Sequence, residues 1–189
     1  MIFVNFKTYS QGSGEKAVEL AKVCQEVVEE KKIPIIPLVQ VFDIYRIAQE
    51  VKIPLWLQHL DWHPPGQYTG WLNLETALKV GAKGTILNHS EHRVPFGTIR
   101  RTIKRIKKTN PQFQVLVCCR SLGQAERLVK LKPDFLAYEP PELIGGEISV
   151  SEYNPTAIAH FVGICGETPA IIGAGIKNKN DVKIGLKLG

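Results

Sequence analysis

The sequence predicts an α/β fold in which short parallel strands alternate with amphipathic helices. Short apolar runs recur along the chain, and each is followed by a segment whose apolar residues repeat at helical spacing. No long linker separates these repeats, and 189 residues are enough to bury one sizeable core. We therefore expect a single domain over residues 1–189, built from βα units with parallel strands.

Seven βα units are predicted in order along the chain. The strands are the short apolar runs at 2–6, 33–38, 54–58, 84–88, 113–118, 134–138 and 170–172. The helices are the segments at 14–31, 42–50, 72–80, 95–109, 122–131, 154–165 and 178–188. Gly81 ends the third helix and Asn110-Pro111 ends the fourth, because glycine and proline interrupt regular backbone. A long loop at 59–71 precedes the third helix.

The first and fourth helices have the clearest apolar faces. The inward face of the first is Ala17, Leu20, Ala21, Cys24, Val27 and Val28. In the fourth, Ile99, Ile103 and Ile106 mark a buried stripe opposite a strongly basic face. This basic face supplies much of the net charge of +6, which a solvated helix and an anionic substrate explain equally well. Nucleic-acid binding is not expected, because no aromatic residues interleave with the charges to stack bases.

The number of units predicts an incomplete barrel. A closed barrel of parallel strands needs eight βα units, one more than we find in the sequence. Residues 186–189 repeat the opening of the segment 78–84, which leads from a helix into a strand. We expect a barrel that lacks its last strand and helix, a shortened version of a longer protein with unpaired edge strands.

Composition is typical of a cytoplasmic protein. Hydrophobic residues make up 44% of the chain and charged residues 22%, which is usual for a soluble domain. No apolar run reaches membrane-spanning length and no signal peptide precedes Met1, so no membrane association is expected. The cysteines lack zinc-ligand spacing, so we expect free buried thiols and no metal site. They are Cys24, Cys118, Cys119 and Cys165.

Reactive side chains follow three of the predicted strands. Asn5 and Lys7 lie at the end of the first strand, His89 at the end of the fourth and Glu139 at the end of the sixth. In a parallel barrel such strand ends converge on one face. A carboxylate, an imidazole and an ammonium group together suit proton abstraction beside a carbonyl, with stabilisation of an enediolate. Taken singly, the same residues also fit a surface glutamate, a core histidine, a surface lysine and an Asx turn.

Three motifs resemble the triosephosphate isomerase family. They are Asn-Phe-Lys at 5–7, Asn-His-Ser-Glu at 88–91 and Tyr-Glu-Pro-Pro-Glu-Leu-Ile-Gly at 138–145. The last motif, together with Gln-His-Leu-Asp at 58–61, is similar to the short archaeal branch. The resemblance runs along the whole chain. It implies a (β/α)8 TIM barrel lacking its last unit, and an isomerase that interconverts dihydroxyacetone phosphate and D-glyceraldehyde 3-phosphate without metal or organic cofactor.

The resemblance also implies a role for each site residue. Glu139 would move the proton between neighbouring carbons, and His89 would hydrogen-bond the substrate oxygens as a neutral imidazole. Lys7 would place a positive charge near the enediolate and the phosphate, and Asn5 would position Lys7 and the substrate. Glu91 would pair with Lys7, although an N-cap or first-turn carboxylate of the following helix is an alternative.

Phosphate binding is expected from backbone N–H groups in two glycine-containing loops. The residues concerned are Gly145, Gly146, Gly173, Ala174 and Gly175. The first loop departs from the family pattern, because Gly-Gly-Glu at 145–147 stands where the short branch has Gly-Thr-Gly. Glu147 would add a negative charge near the entrance for a phosphate dianion.

The segment 64–70 resembles the family's interface loop and implies a homo-oligomer, either a dimer or a tetramer. Thr69 would reach into the partner subunit, with Tyr68 beside it. Trp71 and His92 stand where many family members have an acid and an arginine that pair between subunits. Local packing of the loop's aromatic residues is the alternative explanation for Tyr68 and Trp71.

Two other functions are consistent with parts of the pattern. The first is a non-catalytic or weakly active barrel remnant that serves only in self-assembly through the loop 59–71. The second is a different phosphate-binding barrel, such as a synthase of aromatic or vitamin precursors. The motifs at 88–91 and 138–140 argue against the second function.

Overall fold

The computed structural model describes residues 1–140, 155–173 and 178–187. Backbone contacts divide the chain into two compact units. The first unit comprises Met1–Ile86 and Arg101–Gln114, and the second comprises Leu87–Arg100 and Val115–Gly189.

Parallel strands form the sheet of the first unit, and they pair in chain order. They are β1 (Ile2–Asn5), β2 (Ile35–Val39), β3 (Trp56–Leu57) and β4 (Gly84–Leu87). The helices are α1 (Glu15–Lys31), α2 (Ile44–Glu50), α3 (Leu74–Lys79) and α4 (Phe96–Thr109), with a 3-10 turn at Ser10–Gly12. The last residue of β4 and the first turn of α4 belong to the second unit.

The second unit continues the same βα pattern. Its strands are β5 (Gln114–Cys119), β6 (Phe135–Tyr138) and β7 (Ala170–Ile172), again parallel and paired in chain order. Its helices are α5 (Leu122–Leu128), α6 (Pro155–Cys165) and α7 (Lys179–Lys187), with a 3-10 turn at Val129–Leu131. In the described parts of the chain, no helix is both long and apolar enough to cross a bilayer.

The strands are apolar on both faces because helices cover them, as is usual for parallel sheets. Every residue of β2, β4 and β6 is buried. Gly84 is required where β4 passes β3, since a Cβ added there would lie 2.4 Å from the ring of the fully buried Trp56. The helix α1 contributes Ala17, Ala21 and Cys24 to the core.

Each predicted strand and helix is present, and no end moves by more than three residues. The largest shift is at α5, which ends at Leu128 because its last turn tightens into the 3-10 segment. That segment ends at Lys132 in a left-handed conformation. β3 is shorter than predicted and begins after Pro54, a residue that has no N–H to donate to a sheet. The seven predicted βα units are therefore confirmed.

Candidate active site

Glu139 follows β6 directly and is held by the neighbouring strands of the second unit. Its backbone N–H donates to the Cys119 carbonyl at 2.9 Å, which continues the sheet by one residue. The side chain is only 14% exposed, and its Oε1 lies 3.7 Å from His89 Nε2. Its Oε2 is buried and has no hydrogen-bond partner among the described residues. Because buried polar atoms are normally bonded, this oxygen is available to a ligand.

His89 is presented by a sharp turn at the end of β4. The preceding residue, Asn88, has a φ of 60°, an uncommon value that asparagine tolerates better than most residues. Its side chain is fixed at both ends, since Nδ2 donates to the Cys118 carbonyl at 2.8 Å and Oδ1 accepts from the Val94 N–H at 3.1 Å. The Arg93 guanidinium donates to the Asn88 carbonyl at 2.8 Å. These bonds hold the loop that carries the imidazole.

The Nδ1 atom of His89 is oriented as a hydrogen-bond acceptor. The backbone N–H of Glu91 donates to His89 Nδ1 at 3.2 Å, so Nδ1 acts as an acceptor. An imidazole with an acceptor Nδ1 carries its single proton on Nε2. The Nε2 atom is the one that lies beside Glu139. The pair is therefore arranged with a carboxylate as proton acceptor and an N–H group as hydrogen-bond donor.

Glu91 is not a helix-capping residue, so this alternative is wrong. The helix α4 begins only at Phe96, and its first turn contains no acidic residue. The Glu91 side chain is 54% exposed, and its Oε2 lies 3.6 Å from His89 Nδ1. The pairing of Glu91 with Lys7 stays a prediction.

Two buried thiols lie at the end of β5, the strand next to the one that carries Glu139. Burial, followed by the Glu139 charge and a hydrogen bond to Glu139, raises the pKa of Cys118 well above its usual value. Burial also raises the pKa of Cys119 to about 12. Both thiols are therefore protonated at neutral pH. All four cysteines are free and buried, as predicted.

Arg93 and Ser90 also have polar atoms without partners in the described part of the second unit. Arg93 Nη2 and Ser90 Oγ are both buried and make no hydrogen bond there. The positive charge of Arg93 partly offsets the rise in the pKa of Cys118 and Cys119. The charge that acts on the Cys118 and Cys119 thiols therefore includes a partly buried arginine that the sequence motifs do not indicate.

Gly173 is the predicted phosphate-loop residue that the structure describes. A Cβ added at Gly173 would lie 3.2 Å from Glu139 Oε1, which is tighter than ordinary contact. The end of β7 therefore passes close to the carboxylate only because residue 173 has no side chain. The other members of the predicted set lie outside the described residues. They are Gly145, Gly146, Ala174 and Gly175, together with Glu147.

In the first unit, the side chains of Asn5 and Gln58 both hydrogen-bond to the backbone of Lys7. The Lys7 N–H donates to Asn5 Oδ1 at 2.9 Å, which is the Asx turn considered for Asn5. Lys7 has a φ of 49°, and a non-glycine residue in that region costs about 1–3 kcal/mol. Gln58 Nε2 donates to the Lys7 carbonyl at 2.9 Å and also approaches Asn5 Oδ1 at 3.3 Å. Strained backbone held in this way is common at functional sites.

The aromatic residues of the loop 59–71 pack on one another around His63. Its ring centroid lies 4.2 Å from Trp62, 4.4 Å from Tyr68 and 4.4 Å from Trp71. Local packing, the alternative explanation, is therefore present. Tyr68 is still 40% exposed and Thr69 is exposed at the loop tip. Contact of Thr69 and Tyr68 with a partner subunit stays a prediction.

The structure places two further residues, Gln58 and Cys118, beside predicted site residues, and neither was assigned a site role from the sequence. Gln58 contacts Lys7 and Asn5, while Cys118 contacts Glu139. Both lie at the C-terminal ends of strands, the same rule that identified His89 and Glu139. Applying that rule to β3 and β5 would have found them. No cluster of three metal-ligating side chains occurs within the described ranges.

A parallel βα repeat with a carboxylate and an imidazole at its strand ends is the arrangement typical of α/β-barrel enzymes. Comparison with known proteins identifies the family. A family model described as triosephosphate isomerase matches residues 1–189. The chain belongs to the triosephosphate isomerase family. The predicted TIM-barrel fold class is thereby confirmed, with seven βα units among the described residues.

Curated relatives from archaea support the same assignment. The chain is 36% identical to a triosephosphate isomerase of Methanosarcina acetivorans over 192 residues, covering 100% of this chain and 86% of that protein. It is 37% identical to one of Methanocaldococcus jannaschii over 193 residues, covering 100% and 87%. A triosephosphate isomerase of Methanobacterium bryantii is 39% identical over 193 residues, covering 100% and 84%. The predicted resemblance to the archaeal branch is confirmed.

Proposed function

We propose that this chain interconverts dihydroxyacetone phosphate and D-glyceraldehyde 3-phosphate by enediolate proton transfer. The match to an isomerase family over the whole chain supports the reaction. The observation that carries the mechanism is the geometry of Glu139 and His89, whose Oε1 and Nε2 atoms lie 3.7 Å apart. These two groups supply a base and a neutral hydrogen-bond donor on the same side of the second unit.

The proposed proton transfer uses Glu139 twice. Its carboxylate removes a proton from the carbon beside the substrate carbonyl, and the electron pair moves to form an enediolate. The protonated Glu139 then returns the proton to the neighbouring carbon, so no proton is gained or lost overall. The buried Oε2, which has no partner among the described residues, supports this role because it is not engaged by the protein.

His89 stabilises the oxygen on which negative charge develops. Its Nε2–H donates to the substrate carbonyl oxygen, which becomes the enediolate oxygen in the transition state. The acceptor role of Nδ1 toward the Glu91 N–H supports a neutral imidazole with its proton on Nε2.

Lys7 and Asn5 complete the proposed site. Lys7 supplies a positive charge toward the substrate phosphate and the enediolate, and Asn5 fixes its backbone through the hydrogen bond at 2.9 Å. Glu91 is proposed to pair with Lys7. Backbone N–H groups near Gly173, and in the loops that include Gly145, Gly146, Ala174 and Gly175, would hold the phosphate. The proposed chemistry uses no metal and no organic cofactor.

The proposal includes a cytoplasmic homo-oligomer. Four free buried thiols are typical of a reducing compartment. The exposed residues Tyr68 and Thr69 at the tip of the loop are proposed as the contact with a partner subunit. A molar mass of two or four chains by light scattering would agree with this proposal, and the mass of one chain would contradict it.

The alternative functions receive no support. The different phosphate-binding barrel is wrong, because the family model covers residues 1–189. Nothing favours the non-catalytic remnant, because a base and a hydrogen-bond donor are both present and adjacent.

A coupled assay with glyceraldehyde 3-phosphate tests the function. We expect Glu139→Gln to lower kcat by about 10²–10⁴-fold, because the amide cannot accept the proton. Glu126→Gln is the matched control, since Glu126 is exposed on α5 and lies outside the site. Circular dichroism and a thermal melt check that both variants remain folded. Unchanged turnover in folded Glu139→Gln would refute the assignment of the base.

A further inference from the structure

Lys7 has a backbone conformation that its own residue type does not favour. Its φ of 49° lies in the left-handed region, where a lysine side chain is uncommon. Two amide groups hold this conformation from either side. The Lys7 N–H donates to Asn5 Oδ1 at 2.9 Å, and Gln58 Nε2 donates to the Lys7 carbonyl at 2.9 Å. The direction in which the lysine side chain leaves the backbone therefore depends on Gln58 as well as on Asn5.

Gln58 lies immediately after β3 and donates to oxygen atoms at the ends of two other strands. Its Nε2 is 3.1 Å from the carbonyl of Leu38 in β2 and 3.3 Å from Asn5 Oδ1 at the end of β1. The Leu38 carbonyl also accepts the N–H of Phe6, the residue before Lys7, at 3.1 Å. One amide group thus holds three strand ends and the Lys7 peptide in a single arrangement.

The acceptors around Gln58 explain why an amide is needed there. Three oxygen atoms surround Nε2, and its two N–H groups can serve the nearest two, the Lys7 and Leu38 carbonyls. Glutamate has the same length but would place a carboxylate oxygen against these oxygens, and methionine has the same length but no donor. Either substitution would leave the Lys7 carbonyl without this bond, so the strained backbone could relax.

We propose that Gln58 is a positioning residue for Lys7 in the isomerase reaction. It holds Lys7 in the left-handed conformation, which directs the ammonium group toward the phosphate-bearing substrate. This inference rests on the proposed role of Lys7. Because Gln58 acts through the binding cation, its loss changes the affinity for phosphate-bearing ligands before it changes the proton transfer.

The first experiment compares Gln58→Met with Gln40→Met. Gln40 is a close match, because it follows β2 as Gln58 follows β3, is partly buried and donates its side-chain amide to Ser13 Oγ at 2.7 Å. We expect Gln58→Met to raise KM for glyceraldehyde 3-phosphate by about 10- to 100-fold, in line with the cost of a small misplacement. The inhibition constant of inorganic phosphate should rise in parallel, while both values stay near wild type in Gln40→Met.

A double-mutant cycle shows whether Gln58 acts through Lys7. We expect Gln58→Met to have no further effect on KM in a Lys7→Met background, because the group that it positions is already gone. An equal effect of Gln58→Met with and without the lysine would overturn the proposal. If Lys7→Met itself leaves KM unchanged, the proposed role of Lys7 fails, and this inference fails with it.

Two further results would overturn the inference while leaving the proposed function intact. One is a raised KM in Lys7→Met together with a Gln58→Met enzyme that behaves like the Gln40→Met control. The other is loss of folded protein in both Gln58→Met and Gln58→Glu when Gln40→Met folds normally. That result would assign Gln58 a purely structural role.

Discussion

Asn88 controls the position of His89 through its backbone conformation. Its φ of 60° turns the chain at the end of β4, and its two side-chain hydrogen bonds to Cys118 and Val94 prevent the turn from relaxing. The residue is 2% exposed, so these bonds have no competing water. A motif that reads Asn-His-Ser-Glu thus combines a positioning residue with a hydrogen-bond donor.

Substitutions at Asn88 separate its backbone role from its side-chain role. We expect Asn88→Gly to keep the positive φ but lose both side-chain bonds, at a cost of roughly 1–3 kcal/mol of stability. Asn88→Ala should cost about 1 kcal/mol more, because alanine tolerates the left-handed region poorly. Urea denaturation of both variants measures the difference. Equal stabilities would show that the backbone conformation of residue 88 is not strained.

At the scale of an element, the end of β7 lies beside the Glu139 carboxylate. Gly173 N–H donates to the Tyr138 carbonyl at 3.2 Å, which joins the end of β7 to the residue before Glu139. The register pairs Tyr138 with Ile172, so the two strands end together. This pairing fixes the distance between residue 173 and the base.

A methyl group at residue 173 should therefore displace the Glu139 carboxylate without unfolding the sheet. We expect Gly173→Ala to lower kcat, because its Cβ would lie 3.2 Å from Glu139 Oε1 and displace the carboxylate by a few tenths of an ångström. A drop of about tenfold corresponds to about 1.4 kcal/mol of lost transition-state stabilisation. Gly123→Ala is the matched control, since a Cβ at Gly123 meets nothing within 4 Å. Equal kcat values in the two variants would contradict the close approach of β7.

At the scale of the molecule, the sequence predicts one domain while the contacts group into two compact units. The single domain stays a prediction, and unfolding tests it. All three tryptophans lie in the first unit, so their fluorescence reports on that unit alone. After Cys24→Ser, the remaining thiols Cys118, Cys119 and Cys165 all lie in the second unit.

We expect both probes to change in one cooperative transition. In urea, the loss of tryptophan fluorescence in Cys24→Ser should coincide with the exposure of the remaining thiols to a labelling reagent. The reagent is added in a short pulse, so that the labelling reports the unfolded fraction at each urea concentration. Two separate midpoints would show that the units are independent domains and that the prediction of one domain is wrong.

The sequence alone determined the order of the elements and which residues are candidates for the reacting groups. Apolar runs and helical spacing are local patterns, so the seven βα units could be read directly, and three strand ends gave Lys7, His89 and Glu139. Only the tertiary structure decided how those groups are held. The backbone hydrogen bond to His89 Nδ1, the thiol beside Glu139 and the Gln58 bond to the Lys7 carbonyl arise between different strands or within a loop. Such contacts depend on register and left-handed backbone turns, which no local periodicity encodes.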